Sequence, residues 1–233
     1  FFHDQGAYLR THAIRVPGMA SGILPGPYRI PAYRAIGHVR LTNKTPTATY
    51  RAPARYETTF VRERLMDAIA VKFGLDVLEV RRRNLITADE MPFARPLEVI
   101  GDAIEYDTGD YPALLDKTLD HIGWDDIKAE MAARRAEGEM VGVGLAMFVE
   151  KSGLGPFDDV VLYLYENGIL EIVTGAASVG QGVETILAQI CADMLAVSFE
   201  NIRVVHGQTD RISRGMGAYL HSGDHGTDIC CIS

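Results

Sequence analysis

Cysteine is scarce in this chain, and what there is has no arrangement that would bridge or bind. The three cysteines are Cys191, inside a helical pattern, and Cys230 and Cys231 at the extreme end. That placement fits neither a disulfide framework nor a zinc site, so a reducing, cytoplasmic setting is expected. The seven histidines fall at no metal-ligand spacing either. Basic charge is also short. Against 31 acidic residues stand 23 basic ones, a net charge of -8, which argues against nucleic acid as the main partner. No apolar run reaches the roughly 18 residues of a membrane-spanning helix, so no membrane insertion is expected. Several chemical signatures are missing too: a Ser/His/Asp order, a lysine-bearing phosphate loop, a dinucleotide fingerprint and iron–sulfur cysteine spacing. There is no internal repeat and no charged-then-apolar leader before Phe1-Phe2-His3-Asp4. With the polar, unpatterned run from His221 to Asp228 at the other end, the expectation is an internal piece of a longer polypeptide.

What is present is ordinary globular material, 47% hydrophobic and 23% charged over 233 residues, enough for one large domain or two small ones. Residues 1 to about 30 are rich in Gly and Pro and read as an extended connection. Tyr33 to Leu41 suggests a strand, ending at the turn Asn43-Lys44-Thr45-Pro46. After a loop, a helix is expected from Glu57 to Phe73 with Val61, Leu65, Ala68, Ile69 and Phe73 on its buried face, closed by Gly74. Asp76 can cap a second helix, and Arg81-Arg82-Arg83 reads as charge at that helix's end. Residues 92–138 read as a helical bridge, with helices over 111–121 and 124–135. From Val141 the pattern turns to β: a strand to Val149, then a hairpin about Asn167-Gly168, whose pair supplies positive φ angles. A helix follows with Val183, Ile186, Leu187, Ile190, Met194 and Leu195 as one buried stripe, and then a strand over 202–205. The fold class expected is α+β: two incomplete α/β-layered domains, 1–91 and 139–219, joined by the bridge, with 220–233 set apart as a tail.

Two segments could carry chemistry. Ser178-Val179-Gly180-Gln181-Gly182-Val183-Glu184-Thr185 lies between the hairpin and the amphipathic helix. Two glycines let backbone approach a ligand, the amide donates and accepts, and the helix start adds partial positive charge. The bland alternative is a plain turn. Arg51 sits between Tyr50 and Ala52-Pro53-Ala54 on a loop stiffened by proline, where a guanidinium can grip an oxo group or phosphate with two parallel hydrogen bonds. Its bland alternative is a surface arginine paired with Glu57 or Glu63. Glu150 with Lys151, and Asp158 with Asp159, read as solvated loop charges, and His206 as the end of a strand.

In their contexts, Arg51 and Gln181 resemble the large molybdenum-cofactor subunit of the xanthine dehydrogenase and aldehyde oxidase family. The resemblance runs in one order from about residue 1 to Tyr219. It is carried by Gly26-Pro27-Tyr28-Arg29-Ile30-Pro31, Tyr50-Arg51-Ala52-Pro53 with Glu57, Glu63-Arg64-Leu65-Met66-Asp67 and Arg81-Arg82-Arg83-Asn84-Leu85. It continues through Gly142-Val143-Gly144, Gly155-Pro156-Phe157 and Gly180-Gln181-Gly182-Val183-Glu184-Thr185. The resemblance implies that 1–91 and 139–219 are parts of two cofactor-binding domains. It implies that Arg51, Ala52, Val179, Gly180, Gln181 and Gly182 bind molybdopterin, either as the plain molybdenum form or as its cytosine dinucleotide. Pro53 would line the substrate pocket at the rough position of a purine-stacking aromatic. Iron–sulfur and FAD-binding partner subunits are implied, assembled as a homodimer of heterotrimers. The implied reaction is hydroxylation of an aldehyde, an aromatic heterocycle or an aroyl-CoA-type small molecule, with water as oxygen source. No residue here matches the family's base glutamate, which would lie beyond this chain, so the chain alone is expected to be inactive and to hold no direct metal ligand. Ala52 stands where copper–molybdenum carbon monoxide dehydrogenases carry cysteine, which argues against carbon monoxide as substrate. After Tyr219 the resemblance stops, and a shifted reading frame over 220–233 is the expectation. Two other classes stay open: a non-catalytic scaffold, and a nucleotide-binding regulatory domain using the loop before Val183.

Overall fold

The computed structural model describes residues 1–10, 13–99, 102–150, 159–208, 210–212 and 229–232. They divide into two compact units: Phe1–Glu150 with the short strand Ile229–Ile232, and the described residues of 151–227.

The first unit begins with β1 (Phe2–Asp4), paired in parallel with β2 (His38–Arg40). Between them lies α1 (Val16–Ile23), in a segment expected to be extended. Pro17, in its first turn, gives up no helical hydrogen bond, so the proline-rich composition does not prevent a helix there. The strand expected over Tyr33–Leu41 shrinks to the three residues that β1 pairs with. Two helices follow, α2 (Arg55–Phe73) and α3 (Val77–Asn84). Gly74 ends α2 with φ +64°, and Asp76 caps α3 by accepting from the N–H groups of Leu78 at 2.8 Å and Glu79 at 3.1 Å.

The buried face of α2 is the reverse of the expected one. Leu65 is 55% and Phe73 67% exposed, and Val61, Ala68 and Ile69 are exposed as well. Arg55, Thr58, Arg62, Glu63, Met66 and Ala70 are the buried residues. Polar side chains can occupy that face because a network satisfies them. Glu63 accepts from Tyr28 Oη at 2.9 Å, Arg62 Nε at 3.0 Å and Arg81 Nε at 3.0 Å. Arg81 is therefore not helix-end charge: it is fully buried, while Arg82 and Arg83 pair at the surface with Asp116 and Glu79.

Residues 92–138, expected as a bridge, pack within this unit. They contain a hairpin of β3 (Phe93–Val99) and β4 (Asp102–Tyr106) that periodicity did not reveal. Its register shifts between Arg95 and Glu98, where Pro96 has no N–H to give to a ladder. Next come α4 (Tyr111–Ile122) and α5 (Trp124–Ala136), close to the expected bounds. Tyr106, Tyr111, Leu115, Leu119 and Trp124 share one core with Tyr28, Met66 and Leu85. β5 (Met147–Glu150), shorter than the strand expected from Val141, pairs antiparallel with β9 (Ile229–Ile232). Apart from β9, the tail expected to be out of frame lies outside the described residues.

Among its described residues, the second unit is a sheet of order β6-β7-β8 with one α-helix. β6 (Val160–Leu164) and β7 (Leu170–Thr174) form the expected hairpin, and β8 (Ile202–His206) lies parallel to β7, reached through α6 (Val183–Leu195). The hairpin turn differs in detail. Tyr165 N–H donates to Ile169 O at 2.9 Å, leaving a three-residue loop in which Gly168, not Asn167, takes positive φ (+80°). Asn167 serves through its side chain, accepting from Ile169 N–H. On α6 the expected stripe is only partly buried. Val183 and Ala188 are inside, whereas Ile186, Ile190, Met194 and Leu195 are exposed.

Candidate cofactor-binding loops

The Arg51 loop belongs to the first unit. It follows Tyr50 and ends at α2, and two of its residues, Ala52 (φ +57°) and Ala54 (φ +69°), take left-handed backbone that alanine rarely adopts. Neighbours hold that conformation. Ala54 is fully buried against Met19 and Val99, and Ala52 O accepts from Arg55 N–H at 3.1 Å. The Arg55 side chain, also buried, does the rest: Nη1 donates to Pro53 O at 2.9 Å and Nε lies 3.0 Å from Glu150 Oε1 on β5. Glu150 is thus a structural ion-pair partner rather than a solvated charge, while Lys151 and Asp158 lie outside the described residues. Arg51 itself is exposed at the loop's tip, Ala52 and Pro53 partly so. A strained backbone is thus locked by a buried arginine, with a second arginine at the exposed tip.

The Gln181 loop belongs to the second unit. It leaves β7 through Thr174, whose hydroxyl accepts from Ala176 N–H at 3.1 Å. Gly180 (φ +91°) and Gly182 (φ +76°) bracket the glutamine, and Gly182 is the residue before α6, with no side-chain cap. A Cβ at Gly182 would meet no atom within 4 Å, so glycine is needed there for its backbone angle and not for space. The Gln181 side chain turns back on its own loop. Nε2 donates to Ala177 O at 3.0 Å, and Oε1 accepts from Val179 N–H. Val179 and Gly180 are exposed and Gln181 is half-buried.

One carboxylate stands beside this loop that sequence reasoning did not single out. Glu184 Oε1 lies 2.7 Å from His206 Nε2 at the end of β8. Hydrogen bonds from its own backbone N–H, from His206 and from Ser178 hold the Glu184 carboxyl below its usual range. Glutamate in the first turn of a helix was the available signal; the histidine partner, 22 residues away, had none.

The first unit's loop carries a guanidinium at its tip, and the second unit's loop carries an amide bonded within the loop. Among the described residues no group of three His, Cys, Asp or Glu is placed to hold a metal ion, and no helix is long and apolar enough to cross a membrane. Comparison with known proteins gives the family. Two family profiles, each of a molybdopterin cofactor-binding domain, match residues 1–85 and 117–226, and so include Arg51 and Gln181. The chain belongs to the molybdopterin-binding large-subunit family of xanthine and carbon monoxide dehydrogenases.

Within this family it is 42% identical to the 6-hydroxypseudooxynicotine dehydrogenase complex subunit gamma of Paenarthrobacter nicotinovorans, over 94% of this chain and 28% of that one. It is 33% identical to the carbon monoxide dehydrogenase large chain of Hydrogenophaga pseudoflava, over 93% and 28%. Among solved structures, quinoline 2-oxidoreductase from Pseudomonas putida 86 matches with a TM-score of 0.78 at 29% identity, over 94% of this chain and 29% of that one. The chain thus spans 28% of the length of these curated relatives. Two of them are named as parts of larger assemblies, a complex subunit gamma and a large chain.

Proposed function

We propose that this chain is part of the catalytic subunit of a molybdenum hydroxylase, and that its two loops hold the molybdopterin cofactor. The observation that carries this reading is the Gly180-Gln181-Gly182 loop, in which two positive-φ glycines bracket a half-buried glutamine at the start of α6. In the other unit the locked loop presents Arg51. When bound, the cofactor supplies the oxygen-transfer and two-electron redox chemistry. The chain's own part is to bind and orient it. Arg51 grips its anionic oxygens, and Val179 to Gly182 offer N–H donors, the Gln181 amide exchanging its contacts within the loop for contacts with the ligand. Molybdopterin or its cytosine dinucleotide form serves equally for these donors.

The substrate class we favour is an aromatic N-heterocycle, an aldehyde or an aroyl-CoA-type compound, with Pro53 at the pocket edge. Ala52 supplies no thiolate for a copper ion, which removes carbon monoxide from this reading. Relatives named as a complex subunit gamma and a large chain support a multi-subunit assembly; the partners we favour are iron–sulfur and FAD-binding subunits, in a homodimer of heterotrimers.

The test is metal content. In the full-length subunit, Arg51→Ala and Gln181→Ala each lower molybdenum and pterin per chain, with cofactor retention weakened about tenfold for the loss of a charge-assisted contact. Elemental analysis after gel filtration reads this directly. Full molybdenum in both variants sinks the reading.

A further inference from the structure

The Gln181 loop leads from β7 into α6. Its exit into α6 is through a glycine that can offer no capping side chain, and the Gln181 amide is engaged within the loop. Beside the burial of Ala176 and Val183 on either side of the loop, Glu184 makes a side-chain tie to the sheet. This carboxylate sits two residues after Gly182, in the first turn of α6. It meets His206 Nε2 at 2.7 Å, at the C-terminal end of β8. The start of the helix that follows the loop is thereby tied to the end of β8 through one side-chain pair. Both partners are partly open to solvent, with side chains 43% exposed for Glu184 and 28% for His206. An exposed pair of this kind contributes little to global stability. Its effect is on the local order of the segment it closes.

We propose that the Glu184–His206 pair is a positioning clamp that sets the conformation in which Gly180, Gln181 and Gly182 meet the cofactor. This rests on the reading of that loop as a cofactor contact. Neither residue touches the ligand; both act through the loop. With the clamp in place, the loop is already shaped before the cofactor arrives, so binding spends less on ordering it. Without it, the glycine-rich segment samples more conformations, and cofactor retention falls even though every donor is still present.

The experiment uses the full-length subunit in its complex, prepared with and without molybdate in the growth medium. Hydrogen exchange of the peptide covering residues 177–185 is read in the cofactor-free form, and molybdenum per chain in the loaded form. Glu184→Ala and His206→Ala are each expected to speed exchange about tenfold, the scale of a lost hydrogen bond to a charged group, and to lower molybdenum content. Glu184→Gln keeps an oxygen that can accept from His206 and restores both readouts. Unchanged exchange in both alanine variants overturns the clamp. Faster exchange with full molybdenum, while Gln181→Ala loses the metal, also overturns it and leaves the loop's cofactor role standing. Full molybdenum in Gln181→Ala as well overturns the reading beneath it. If an alanine variant lowers global melting, His206→Gln is judged on the same two readouts.

Discussion

Arg81 shows how much one side chain can hold. Its Nε lies 3.0 Å from Glu63 Oε2, and its Nη2 donates to Asp67 Oδ1 at 3.0 Å and to Leu145 O at 3.1 Å. Burial, followed by the neighbouring Glu63 carboxylate, pushes the Tyr28 phenol far up from its ordinary range, so it remains a donor to Glu63 at all working pH. Arg81→Met strips Glu63 of one of its two buried counter-charges, leaving Arg62, and is expected to destabilise by about 3–5 kcal/mol, read as a shift in urea midpoint. Arg81→Lys loses stability as well, because one ammonium cannot reach partners that the planar guanidinium spans. Arg82→Ala, whose partner Asp116 is exposed, stays within about 0.5 kcal/mol of the parent. In sequence the three arginines look alike. Only Arg81 has a carboxylate 18 residues back waiting for it.

At the scale of the element, α2 is the instructive case. Its bounds were legible, since Gly74 and the loop before it punctuate the chain. Its phase was not. Helical periodicity finds an apolar stripe and assumes that the core lies against it. Here the residues that pack inward are held by the Glu63 network, and the stripe of Leu65 and Phe73 is solvent-facing in this chain. Leu65→Gln is therefore expected to change stability by no more than about 0.5 kcal/mol. Met66→Ala, at a 7% exposed position, costs about 2–5 kcal/mol by leaving a cavity. Chemical denaturation of the two variants separates the phases. The same failing hides the exposed side of α6, where Ala188 rather than Ile186 or Ile190 faces inward. At the hairpin of β3 and β4, Pro96 broke the alternation that would have marked a strand.

For the whole molecule the excess of acid sets the response to pH. Several carboxylates are held below their usual range: Asp4 by the Gly6 N–H and Thr42, Glu171 chiefly by Arg211, and Glu184 as described. Glu90 is the largest case. Arg29 and then the Thr87 backbone N–H bring it from 4.5 to about 2. A folded-state pKa below the unfolded one gives stability that is complete above about 4.5 and is lost as pH falls toward about 2. The urea midpoint should therefore decline on acidification through that window. Glu90→Gln should lower it at neutral pH and flatten the decline, since the group that titrates has gone. A midpoint gap between parent and variant that stays constant down to the acid end contradicts this account.

The mixture of helices and strands, most helix bounds, the caps at Asp76 and Gly74 and the Asn167-Gly168 turn could all be read from neighbouring residues. Each depends on chemistry within a few positions: a carboxylate meeting free N–H groups, or a glycine taking positive φ. The facing of α2, the burial of Arg81, the locking of the Arg51 loop by Arg55 and Glu150, and the Glu184–His206 pair could not. Each joins residues far apart in the chain, and burial is a property of what lies opposite, which no local pattern contains.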